Sequence, residues 1–142
     1  MSNDEKKVIV SACLAGIECR YDCAHQERLD IVKLVVEGKA IPVCPEQLGG
    51  LPTPRKPAEI QKDGSVKTID AVDVTKEYNR GAQEAFKILS LLSAEEAYLK
   101  SKSPMCGSGK VYNGNFTGDL IPGDGVFAKL LKARGIKIHS ID

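Results

Sequence analysis

The chain has no tryptophan, and aromatic residues make up 5% of its 142 residues. Stacking of bases on aromatic platforms, the usual grip on single-stranded nucleic acid, is therefore poorly supported. No sign of charge dominates either: 20 lysines and arginines face 19 carboxylates, for a formal net charge of +1, and the two signs are interspersed. Binding through phosphates needs a massed basic surface, so a nucleic-acid partner is not expected. Long apolar runs are also missing. The first, beginning at Val8, is short, broken by Ser11 and Gly16, and leads into charged residues. Neither a signal peptide nor a membrane span is expected, and the reading is cytoplasmic. Histidine is scarce, at two residues, and neither has a clear claim to serve a cysteine nucleophile as its base.

What the chain does have is five cysteines, an odd number at uneven spacing. A chain of this length builds one domain, residues 1–142, with a core large enough to be stable without cross-links. Reduced thiols or metal ligation are favoured over a disulfide framework. The polar residues 1–7 are expected to be flexible, and the oligomeric state, monomer or dimer, is left open.

The apolar periodicity alternates between strand and helix. "KVIVSAC" (7–13) reads as a buried strand, "QERLDIVKLVVEGK" (26–39) as a helix stopped near Gly38, and "AIPVC" (40–44) as a strand whose Pro42 favours an edge. Strand, helix, strand in this order makes a parallel pair. Residues 45–57, with four prolines and two glycines, read as a long fixed loop. A hairpin around Asp63 and Gly64 follows, then a helix over 76–92 introduced by Asp73 or Thr75. Residues 93–100 are assigned to a strand ending near Lys100, and 109–120 to a hairpin turning at Asn113 and Gly114. The last elements are a helix capped by Asp124 and stopped at Gly135, and a strand over 136–141. The predicted fold is α/β: a three-layer, Rossmann-like arrangement with a mostly parallel sheet and a small β-hairpin addition.

In an open α/β sheet, ligands bind beyond the carboxyl ends of the strands. Cys13, Cys44 and Cys106 each fall at or just past the end of a predicted strand, so three sulfurs distant in sequence converge on one sheet edge. Three thiolates suit a soft metal or an iron-sulfur centre, and three protein ligands leave a position open for a substrate. The competing reading is that each cysteine is a small buried apolar residue. Cys19, Cys23 and His25 share one loop with Cys13 and form a second candidate set, for zinc, although their spacing matches no standard paired-ligand pattern. Glu46, two residues after Cys44, and Asp22, one before Cys23, are candidate proton donors or acceptors. Ser101 and Ser103 are near enough to Cys106 for a hydroxyl to face a ligand, or simply to hold a turn. Arg55 is a candidate for binding an anionic or carbonyl group, or for tying its loop to Glu59. His139, inside the last strand, reads as structural.

"VSACLAGIECRYD", "PVCPEQLGGLPTPRKPAE" and "LKSKSPMCGSGKVYNGNFTGDLIPGDGV" together resemble the signature blocks of a bacterial and archaeal family first catalogued as a domain of unknown function. That family includes the thiouracil desulfurases, or desulfidases. The resemblance runs from about Val8 to Ile138. It implies a 4Fe-4S cluster held by Cys13, Cys44 and Cys106, with the fourth iron free to take the sulfur of a thiocarbonyl substrate. It further implies catalytic roles for Glu46 and Ser103, while Asp22, Arg55 and Ser101 are candidate substrate contacts by their own chemistry and position. The implied partner is a small thiobase, and the implied reaction replaces C=S by C=O without net electron transfer. At one position the chain departs from the family pattern: Cys23 stands where glycine is usual after "CRYD". Two other readings stay open, namely sulfur transfer to or from a thiolated nucleoside in transfer RNA, and a zinc-stabilised binding module.

Overall fold

The structure, a computed structural model, describes residues 6–142. Of the segment expected to be flexible, residues 1–5 lie outside the described residues. Lys6 and Lys7 are tied down, through Glu95 and the Gly38 carbonyl. Four parallel strands form the central sheet: β1 (Val8–Ser11), β2 (Ala40–Val43), β5 (Glu96–Lys100) and β8 (Lys137–Ile141), in the order β2-β1-β5-β8. β1 pairs with β2 in the register Val8 to Ala40 through Ser11 to Val43, and with β5 through Ile9–Ala97 and Val10–Tyr98. β2 is an edge strand, which is where Pro42, lacking an N–H, is tolerated.

Alternation along the strands splits the core into two layers. Ile9, Val43, Ala97 and Leu99 face α3 (Thr75–Leu91) and α4 (Val126–Ala133), where Tyr78, Ala82, Ala85, Leu89, Phe127 and Leu131 meet them. Val10 and Ala40 face the other way, onto Ile31 of α1 (Leu29–Val36) and Leu14. Because both sheet faces are covered, the strands carry apolar residues on both sides. The three layers are those predicted. Two antiparallel ribbons are added at the carboxyl edge: β3 (Ala58–Ile60) with β4 (Val66–Thr68), and β6 (Lys110–Tyr112) with β7 (Leu120–Pro122). Glu59 joins the ribbons: its Oε1 accepts from the backbone N–H groups of Gly114 and Phe116 at 3.0 and 3.1 Å.

Several expectations need correction. The first strand stops at Ser11, and Cys13 sits on a 3₁₀ turn, Ala12–Ala15. The first helix is shorter than the apolar pattern, eight residues, and leaves Leu29 and Val36 exposed. The proline-rich segment is not all loop: Pro45–Leu48 form a short helix, α2, with Pro45 at its start, where a missing N–H costs nothing. Asp124 does not cap α4, whose preceding residue is Gly125. Its Oδ1 instead accepts from the Gly109 N–H (2.8 Å) and pairs with Lys132 (2.7 Å), closing the loop that follows Cys106.

α2 packs against α3 at backbone distance. A Cβ on Gly49 would lie 1.9 Å from the Glu77 carbonyl oxygen, and one on Gly81 would lie 1.9 Å from that of Pro45. Alanine at position 81 would gain about 1 kcal/mol of helix propensity, but backbone on both sides cannot yield. Gly81→Ala is therefore expected to destabilise the protein by about 2 kcal/mol, read as a lower urea unfolding midpoint. An unchanged or higher midpoint would show that α2 is free to move away.

Candidate active site

The carboxyl ends of β1, β2 and β5 open into one cavity of about 590 Å³. Cys13 reaches it from the 3₁₀ turn after β1, Cys44 from the residue between β2 and α2, and Cys106 from the turn after β5. Chain order places this cavity at the point where the connections diverge. From β1 the chain crosses to β2 on one side, and the next sheet strand, β5, lies on the other, leaving a crevice between the departing loops. Glu46, Arg55, Ser101 and Ser103 also line the cavity. Asp22 does not. Its Oδ1 accepts from the Ala24 N–H at 3.0 Å and it faces Arg20 at 3.8 Å, so it shapes the loop instead.

All five cysteines are free. Cys13 and Cys106 are 8% and 5% exposed. Burial, with the nearby Glu46, pushes the Cys13 thiol up to about 11 and that of Cys106 well above the ordinary range. Cys19 lines the same cavity beside Cys44, whose thiol donates to the Cys19 carbonyl. The neighbouring Cys44 side chain favours ionisation of Cys19, and Cys19 together with burial holds the Cys44 thiol well above its ordinary range. Burial thus disfavours the thiolate forms of Cys13, Cys44 and Cys106, and a cationic centre between them would offset that cost.

The remaining polar groups are tied to that wall. The Cys44 thiol donates weakly to the Cys19 carbonyl and to Glu46 Oε1, both at 3.8 Å. Arg55 does not reach Glu59: it lies 3.6 Å from Glu46 Oε2 and donates to the carbonyls of Cys19 and Pro52 and to Thr53 Oγ1, each at 3.1 Å. Burial raises the Glu46 carboxyl above its usual range, and Arg55 opposes that rise without cancelling it. Ser103 holds a turn, its Oγ accepting from the N–H groups of Met105 (3.2 Å) and Cys106 (2.7 Å). With both lone pairs engaged, its O–H is left to donate into the cavity. Among the lining residues, Lys100 is one that sequence reasoning did not single out, and Cys19 was assigned to a zinc set and not to this cavity. The spacing of Cys19 does not show that its loop turns back into the cavity, and Lys100 has the look of an ordinary strand end.

The zinc alternative is not assembled. Cys19 turns into the cavity, Cys23 is exposed, and His25 Nδ1 accepts from the Glu27 N–H. Among the described residues, no three His, Cys, Asp or Glu side chains converge as donors to a single metal ion. Cys13, Cys44 and Cys106 border one shared volume, and three thiols are a donor set suited to a multi-iron cluster in which each thiolate holds a different iron. His139 is structural as expected, bonded to Glu96 at 2.8 Å and stacked on Tyr98 with centroids 4.4 Å apart.

The 2-thiouracil desulfurase family matches residues 8–142. The chain belongs to that family. It is 45% identical to protein YbbK of Bacillus subtilis (strain 168), with 94% of each chain covered. Its structure is similar to that of the [4Fe-4S]-dependent thiouracil desulfidase TudS, with a TM-score of 0.90 and 44% identity over 95% of this chain and 90% of TudS. Membership agrees with the sequence resemblance and with the α/β fold. Among the described residues, no helix is long and apolar enough to cross a membrane.

The departure from the family pattern has a backbone explanation. Cys23 has φ of +63°, the left-handed region that glycine occupies without strain. The loop keeps a conformation suited to glycine, and Cys23 bears a cost of roughly 1–2 kcal/mol for it. Cys23→Gly is expected to stabilise the protein by about 0.5–1 kcal/mol after the entropy of the unfolded chain is subtracted. A denaturant midpoint that falls would show that the cysteine side chain contributes more than its backbone costs.

Proposed function

We propose that this protein removes sulfur from thiolated pyrimidines such as 2-thiouracil or 4-thiouracil, giving uracil and sulfide. The observation that carries the reading is the meeting of three free cysteines, from three strand ends, around one cavity that also holds a buried carboxyl group. Cys13, Cys44 and Cys106 would hold a 4Fe-4S cluster, the group on which the structurally similar TudS depends. When bound, such a cluster supplies a Lewis-acidic iron with a position open to a thiocarbonyl sulfur.

The chain's own residues supply the remaining chemistry. Glu46, kept from bulk water and raised by burial, is suited to take a proton from an attacking water and return it later. Arg55 keeps the Glu46 carboxyl facing the cavity. The Ser103 O–H, committed to donating by the two backbone N–H groups on its oxygen, steadies an acceptor atom of the substrate. The balance is C=S plus H₂O to C=O plus H₂S, so no electron donor or acceptor is needed.

Protein purified or reconstituted without oxygen is expected to be brown, with about four irons per chain, and to release sulfide from thiouracil. Serine in place of Cys13, Cys44 or Cys106 should abolish iron retention. Glu46→Gln should keep the iron and lose turnover by about 10²–10⁴-fold. Iron-free protein after anaerobic reconstitution, or iron-loaded protein that releases no sulfide from any thiopyrimidine, would refute the reading.

A further inference from the structure

The basic side chains around the cavity are not equivalent. Arg20 faces Asp22 at 3.8 Å, Arg55 faces Glu46 at 3.6 Å, and Lys56 faces Asp70 at 3.9 Å. Lys102 is exposed. Lys100, at the carboxyl end of β5, is half-buried on the cavity wall, and among the described residues no carboxylate pairs with it. Its backbone is held by Ser11, whose Oγ accepts the Lys100 N–H at 3.0 Å. Its ammonium donates to Ser101 Oγ at 3.2 Å.

That last contact sets a direction. An ammonium has three donors and no acceptor, so Ser101 Oγ must accept. The Ser101 hydroxyl hydrogen then needs an acceptor of its own. Ser101 is 8% exposed, and none of the described hydrogen bonds supplies one. This part of the wall therefore offers ammonium N–H groups and one O–H to a ligand. Oxygen acceptors on a ligand complement it. A thiopyrimidine that loses sulfur at one ring carbon keeps a carbonyl oxygen at another.

We propose that Lys100 and Ser101 bind the ring carbonyl oxygen that the substrate retains, Lys100 both touching that oxygen and turning the Ser101 hydroxyl towards it. The assignment rests on the desulfidase reading and adds a basis for choosing among thiobases. A site built to hydrogen-bond a substrate oxygen rejects analogues that lack it, because its own polar groups are then left unpaired.

The test compares iron-loaded wild type and Lys100→Met on 2-thiouracil and on pyrimidine-2-thione, which lacks the second carbonyl. Lys100→Met is expected to lower kcat/KM for 2-thiouracil by about ten- to a hundredfold, mainly through KM, and for pyrimidine-2-thione by less than about threefold. Lys100→Arg, which keeps a cationic donor, should recover most of the loss, and Ser101→Ala should show the same substrate dependence. Where turnover of the second substrate is too slow to read, the inhibition constants of uracil and pyrimidin-2-one give the same ratio. Lys100→Gln carries the comparison if the methionine variant does not retain iron. Equal losses on both substrates, or none, would overturn the assignment and leave the desulfidase reading standing. Wild type that desulfurises neither substrate would instead overturn the reading itself.

Discussion

β1 pairs in parallel with β2 on one side and β5 on the other, and the geometry of the site depends on that pairing. Parallel strands end on the same edge of a sheet, so chain that leaves β1, β2 and β5 leaves in one direction. Residues 13, 44 and 106 become neighbours without any sequence-local contact. A cross-linked loop could gather cysteines too, but the sheet does so while leaving every thiol free.

The edge alone would leave the loops slack. Two backbone contacts tighten it: α2 lies on α3 through Gly49 and Gly81, and the Cys19 carbonyl gathers Arg55, Thr53 and the Cys44 thiol. The first sets Glu46 over the cavity and the second draws the loop after β1 onto the segment after β2. The result is a group of buried thiols and a buried carboxyl whose charged forms are disfavoured by burial. A partly desolvated set of this kind is a receptive site for a cationic centre, since the unfavourable ionisation of each thiol is offset once a metal takes the proton's place.

How much was legible in the chain varies by element. The alternation in "VIVS" and the stripe from Tyr78 to Leu89 led directly to β1 and α3, because burial on both faces of a sheet or one face of a helix leaves a period. The ambiguous "EAYLK" became β5 because the loop after it had to start near Ser101. "PEQL" has the composition of a loop and forms α2, because proline at a first helical position is as favourable as in a turn. Asp124 had the composition of a helix cap, yet a backbone N–H fifteen residues away and Lys132 compete for its carboxylate. Ser103 is a candidate catalytic residue by its motif, and the structure shows its Oγ holding the Cys106 turn.

By itself the sequence determined the alternating α/β order, the edge position that Pro42 favours, and the placing of three cysteines at or just past strand ends. Each follows from local periodicity, from a missing donor, or from a motif contiguous in the chain. Only the tertiary structure decided that Asp22 stays out of the cavity, that Arg55 meets Glu46 and not Glu59, that Cys19 lies beside Cys44, and that Lys100 faces the site without a carboxylate partner. Those outcomes depend on which loops the sheet brings together and on how fully they exclude water, and neither is encoded in the spacing of any one segment.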